Sequence, residues 1–207
     1  MAKIDIKDFL VNPPKTARGE KTLQRICEAA EHIFYKKGYH ESSIHDIANE
    51  AGVSVGTFYI YFESKLMLYK YLLISYGHNI RRYLTKAIEG ATSRREAERL
   101  GLKAWLTYVT ENRYVFNITF ESLFIEQKLF EDYFLNFSEA YVQRLDQAKE
   151  EGDIVSIDTE VASFALMGIS IFVGLHWVYF GDSKNRDDVV DQVMKMIDGM
   201  FTDEKSD

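Results

Sequence analysis

The sequence predicts an all-α fold: an N-terminal three-helix unit built around a helix-turn-helix, followed by a larger helical domain. Three observations carry that prediction. Apolar residues recur at helical spacings along most of the 207-residue chain, and no convincing period-two run competes with them. The only two prolines are adjacent, Pro13 and Pro14, so every later segment is free to be helical. Cap residues and glycines punctuate the periodic segments where helices should start and stop.

Residues 3–16 hold the proline pair and no sustained period, and read as a flexible arm. A helix begins near Arg18 to Lys21, with Leu23, Ile26, Cys27, Ala30, Ile33 and Phe34 on one stripe. Gly38, after Lys36 and Lys37, reads as its stop. Ser43 with Asp46 three residues later is a capping-box-like start to a second helix, Asp standing where Glu is usual. Ile44, Ile47, Ala48 and Ala51 are its inward face, and Gly52 ends it. Ser54 caps a third helix, Val55–Tyr61, and Glu63 or Ser64 caps a fourth that runs to about Glu89. Beyond Gly90 the periodicity predicts helices over 94–111, 115–125, 129–151, 159–180 and 187–201. Residues 154–157 are the only strand-like piece and read better as a loop.

Residues 44–61 form the motif that carries function. Two helices crossing steeply need a small residue at the crossing, supplied by Ala48, and a turn residue tolerant of positive φ, supplied by Gly52. Ile47, Ala51, Val53 and Phe58 make the small core. A hairpin that merely packs leaves the outward residues of the third helix unexplained: Val55, Gly56, Thr57, Tyr59, Ile60 and Tyr61. The second helix of such a motif enters the DNA major groove. Thr57 offers a hydroxyl and a methyl, Val55 an apolar contact for a thymine methyl, and Gly56 close backbone approach. Tyr59 and Tyr61 are expected to donate to phosphates, and Lys65 to add a cation at the next helix start. Ser43, His45, Lys15 and Arg18 are further candidates. The third helix has no Arg, Asn or Gln for bidentate base reading, so modest direct readout is expected, aided by DNA shape and a second half-site.

The stretch IHDIANEAGVSVGTFYIYFESKLMLY, following the KGY of residues 37–39, resembles the tetracycline-repressor (TetR) family of bacterial regulators. The resemblance covers about the first third of the chain, with GVSVGTFYIYFESK as its most specific run. It implies a dimeric regulator, usually a repressor, released from a palindromic operator by a small molecule. It also implies that Ser43 caps the second helix and touches a phosphate, that Thr57 and Tyr59 contact bases or backbone, and that Tyr61 and Lys65 hold phosphates. Val55 departs from the Lys or Arg frequent at its position, and Ile60 from the polar or aromatic residue often found there; both bear on operator sequence.

The expected domains are residues 1–16 as the arm, 17–66 as the DNA-binding domain and 67–207 as the ligand-binding and dimerisation domain. The net charge of −7 is unevenly spread: residues 15–70 hold eight Lys/Arg against seven Asp/Glu, and the balance from Tyr71 onward is −8. The motif-bearing part is thus near neutral, which permits phosphate binding by local, well-aimed donors. Residues 161–180 carry no charge. Interrupted by Ser163, Gly168, Ser170, Gly174 and His176 and lacking a clear basic flank, they read as a buried helix that also meets a second subunit, not as a membrane span. A homodimer through the last two helices is expected. Trp105, Tyr108, Phe120, Phe124, Phe137 and Trp177 are candidate lining for a small hydrophobic effector, a fatty acyl chain or a lipophilic cation with Glu121 as counter-charge; each taken singly also fits core packing. No phosphate loop, nucleophile elbow or metal-ligand set appears, so neither an enzyme nor a cofactor is expected. The single cysteine and the absence of a signal-peptide pattern fit the cytoplasm. A helix-turn-helix dimer without a small-molecule sensor is the alternative.

Overall fold

In the computed structural model, residues 6–181 and 185–202 are described, and among them regular structure is helical throughout apart from one isolated bridge, Ile154 to Phe201. The α-helices are α1 (Ala17–Glu41), α2 (Ile44–Glu50), α3 (Val55–Tyr61), α4 (Lys65–Ala87), α5 (Arg94–Glu111), α6 (Tyr114–Ile125), α7 (Gln127–Glu151), α8 (Thr159–Gly174) and α9 (Arg186–Ile197). The expected elements are all present. The final apolar helix is divided, however: α8 passes at Gly174 into a wider π-turn, Leu175–Tyr179. Residues 154–157 form a loop tied to the C-terminal segment, with the Val155 N–H donating to the Met200 carbonyl.

The chain forms two compact units, and the first extends past the expected boundary at residue 66. It runs to His78 and takes in residues 114–133; the second holds residues 79–113 and everything from 134 onward. In the first unit, Leu23, Ile26, Ala30, Ile33 and Phe34 of α1 are buried as their spacing requires. Gly38, at φ 74°, breaks the helical path near the end of α1, where a residue with a Cβ would be strained. The Tyr69 hydroxyl donates to the Ile118 carbonyl at 2.5 Å, so α6 is fastened to α4 by a buried hydrogen bond. At the Gly38 break, the freed Tyr39 N–H donates to Glu121 of α6 at 2.6 Å. Glu121, the expected counter-charge for a cationic ligand, thus has one oxygen engaged by a backbone N–H.

In the second unit, α5 packs against α8 and α9. Its buried pair Arg94–Glu98 is completed by the Tyr141 hydroxyl of α7, which donates to Glu98 at 2.5 Å. Burial, and then the Glu98 charge, push the Tyr141 pKa well above its ordinary value, so it remains a donor. One helix among the described residues, 159–179, is long and apolar enough to cross a membrane, and only a third of its most apolar window is buried.

Candidate nucleic-acid interface

The interface is built from local caps. At α2, Ser43 Oγ accepts the Asp46 N–H at 3.0 Å, and Asp46 Oδ2 accepts the Ser43 N–H at 3.0 Å, a reciprocal capping box. Lys37 Nζ holds the other Asp46 oxygen at 2.9 Å. These bonds, the one from Lys37 foremost, lower the Asp46 pKa to about 2. Ile47 and Ala48 are fully buried at the crossing. Gly52 adopts φ 61°, and the Val53 N–H returns to the Ala48 carbonyl at 2.9 Å. A Cβ at Gly52 would lie 2.8 Å from Arg25 Nη2. That guanidinium, from α1, donates to the carbonyls of Ala51 and Gly52 and fastens the turn. Ser54 then caps α3, accepting the Thr57 N–H at 3.1 Å, and its hydroxyl meets that of Thr57 at 2.9 Å.

Of the residues expected on the outward face, Tyr59 and Ile60 are each 50 % exposed, Gly56 is exposed, and Val55 and Thr57 are half-buried. Ser43 and His45 are exposed at the start of α2. Lys15 and Arg18 are exposed at the start of α1, and neither has an ion-pair partner among the described residues.

Two expected phosphate donors are placed otherwise. Tyr61 is only 8 % exposed, and its hydroxyl donates to the Gly19 carbonyl at 3.2 Å. On a seven-residue helix, Tyr61 lies three residues after Phe58 and so shares its buried face. Lys65 is not a free cation: its ammonium donates to the carbonyls of Tyr39 and Ser42 (2.6 Å for the latter) and lies 4.3 Å from the Tyr39 ring centroid. Desolvation lowers its pKa, opposed by Glu121, Glu41 and Asp46.

The expected flexible arm is bonded to the end of α3. Residues 6–9 form a short 3-10 turn, the Val11 N–H donates to the Tyr61 carbonyl at 2.8 Å, and Asn12 Nδ2 donates to the Ile60 carbonyl at 2.9 Å. The physical reason is that carbonyls at the end of a helix have no partner within it, and the arm supplies donors. The first five residues of the expected arm lie outside the described residues.

Elsewhere in the first unit, His32 of α1 reaches Glu50 of α2 at 2.6 Å. Burial, then Glu31 and Glu28, push the Cys27 thiol far up, which leaves it an un-ionised side chain at neutral pH. Among the described residues no group of three metal-ligating side chains occurs.

The six expected effector-lining residues divide between the units. Trp105, Tyr108, Phe137 and Trp177 lie in the second. There the Trp105 indole donates to the Ser170 carbonyl at 2.8 Å, the Tyr108 ring lies 5.4 Å from that of Tyr83, and Arg81 lies 6.0 Å from the Phe137 ring. Phe120 lies in the first unit, stacked near Phe116 at 6.5 Å. Phe124 is 78 % exposed at the end of α6, so its ring is not interior lining as expected.

Residues 26–72 match the family described as "Bacterial regulatory proteins, tetR family". The chain is 28 % identical over 110 residues to the HTH-type transcriptional activator FasR of Mycolicibacterium smegmatis, covering 53 % of this chain and 50 % of that one. It thus spans about half the length of that curated relative. Its fold is similar to the fatty acid degradation regulator FadR from Bacillus halodurans, with TM-score 0.77 and 20 % identity over 89 % of this chain and 96 % of that one. It is similar too to the transcriptional regulator FadR from Bacillus subtilis in complex with stearoyl-CoA, with TM-score 0.71 and 18 % identity over 86 % and 98 %.

Proposed function

From the premise that this chain is a member of the tetR family of bacterial regulatory proteins, we propose that it is a sequence-specific DNA-binding repressor of transcription. It acts as a homodimer on a palindromic operator and is released when a small hydrophobic effector binds its helical C-terminal part. The observation that carries this reading is the capped pair α2 and α3 around Gly52, which leaves Val55, Gly56, Thr57, Tyr59 and Ile60 outward. Ser43 and His45, exposed at the start of α2, add to this face, and Lys15 and Arg18 serve phosphates. Tyr61 and Lys65 act behind this face, holding its frame. A cytoplasmic setting, without a membrane, goes with this role.

Dimerisation is supported by α8, whose residues Val161, Phe164, Gly168 and Phe172 recur at helical spacing on an outward, apolar side. These residues, and separately the exposed Met196 of α9, are proposed to meet a second copy. The effector is proposed to be a compound with a long acyl chain, taken up beside Trp105, Tyr108, Phe137 and Trp177. The stearoyl-CoA complex of the Bacillus subtilis FadR neighbour supports that class.

The test is enrichment of duplexes from a random pool by the full chain, followed by affinity against salt. Palindromic duplexes should be enriched, with log affinity falling linearly in log salt. No enrichment, or salt-independent binding, sinks the reading. Long-chain acyl-CoA should raise the melting temperature and release the enriched duplex. Silence across acyl chain lengths leaves a dimeric DNA-binding protein without a sensor.

A further inference from the structure

We infer that α3 reads its operator through the C5-methyl groups of thymine, and not through hydrogen bonds to guanine or adenine. The inference rests on the DNA-binding reading above and names the chemistry by which that face selects sequence.

The polar side-chain atoms of α3 are few. The helix holds no acidic, basic or amide side chain. Its hydroxyls belong to Thr57, Tyr59 and Tyr61. Tyr61 is turned inward onto the Gly19 carbonyl. The Thr57 hydroxyl meets that of Ser54 at 2.9 Å, so part of its hydrogen-bonding capacity is engaged within the cap, while its methyl is not. The carbonyls of Ile60 and Tyr61 are taken by Asn12 and Val11 of the arm. The nearest cation along the chain, Lys65, is directed at Tyr39 and Ser42. What this helix keeps for the groove is single hydroxyls, those of Thr57 and Tyr59, and neither can make the bidentate contact by which guanine or adenine is read.

The remaining outward surface is apolar: Val55, the Thr57 methyl, the Tyr59 ring and Ile60. Gly56 adds no side chain that would hold this surface away from the groove; a Cβ there would meet only Ser54 Oγ, at 3.7 Å. In the major groove each base pair shows a distinct pattern, and the thymine methyl is its apolar component. Either base pair against this surface has polar edge groups stripped of water, N7, O6 and N4 in G·C and N7, N6 and O4 in A·T, so that cost is common to both. An A·T pair presents a methyl that the surface can bury. Selection therefore comes from burial of the methyl, the one group in which the two pairs differ in apolar character.

The experiment uses the full chain and the duplexes it enriches. Thymines are replaced one at a time by deoxyuridine, which removes the methyl and keeps every hydrogen-bonding group. Affinity should fall about fourfold at each contacted thymine. Guanines replaced by 7-deazaguanine, which removes N7, should change affinity by less than about twofold. Thr57→Ser keeps the hydroxyl and its bond to Ser54 but removes the methyl; Ile60→Ala trims an exposed side chain. Each variant should abolish the deoxyuridine penalty at one position, a non-additivity that unfolding would not produce. Uniformly silent deoxyuridine with a tenfold or larger loss from 7-deazaguanine overturns the inference and leaves the regulator reading standing. Failure to enrich any duplex overturns both.

Discussion

Lys65 has a flexible four-carbon stem and three donors, and the structure directs them at the carbonyls of Tyr39 and Ser42. Those carbonyls end α1 and precede the cap of α2, so the ammonium closes the corner between the two helices. Removing it leaves part-buried acceptors without a charged partner, a loss of about 1–2 kcal/mol. Lys65→Met should therefore lower the melting temperature by several degrees at equal protein concentration. Its DNA affinity should keep the slope of log affinity against log salt, since no phosphate contact is removed. A phosphate-binding lysine would behave in the opposite way, with stability unchanged and a slope shallower by about one unit. Sequence alone favoured the second outcome, because a lysine at a helix start beside a recognition helix is read by its charge. Only the fold shows that two carbonyls more than twenty residues earlier had claimed it.

The same distinction holds for elements. The α2 cap is local: Ser43 and Asp46 are three residues apart, and their spacing alone identifies the capping box. Its pH dependence follows from Asp46, whose folded pKa of about 2 lies below the ordinary carboxylate value because Lys37 and Ser43 favour the charged form. A group so depressed adds stability that is present above its unfolded value, near 3.9, and is lost as pH falls through the folded one. Wild-type melting temperature should thus exceed that of Asp46→Asn at neutral pH, and the gap should close between about pH 4 and pH 2. A gap independent of pH over that window would mean that charge at Asp46 is not what holds the cap. Helix existence, the HTH turn and most boundaries were legible because period, caps and Gly52 are all written within a few residues of one another. The clip of the arm on Ile60 and Tyr61, the Arg25 clamp on the turn and the bond from Tyr39 to Glu121 were not. Each joins residues 26 to 82 apart in the chain, and no spacing rule reaches so far. Tyr61 was misplaced for a related reason: on a helix of two turns, one residue of angular drift separates the outward face from the core.

At the scale of the whole molecule, one α3 carries too little information to find an operator. Its outward surface is small and apolar, and two such helices about 34 Å apart on one face of DNA multiply what each reads. The surface proposed to hold the pair is the outward side of α8, where Phe172 is 71 % exposed and Val161 65 %. Neighbouring small residues, Ala165 and Gly168, let a second helix approach closely. Burying one such phenylalanine contributes about 1.5–3 kcal/mol to association, whereas burying an unpaired carboxylate in its place opposes it by several more. Phe172→Glu should therefore weaken the dimer about a hundredfold or more, seen as a monomer by sedimentation at micromolar concentration. The monomer should keep its helix content, since Phe172 adds little to the interior of its own subunit. Its affinity for an enriched palindrome should collapse to that for a single half-site, while the deoxyuridine penalty at that half-site persists. A Phe172→Glu chain that remains dimeric and binds the palindrome as before would move the association surface off α8.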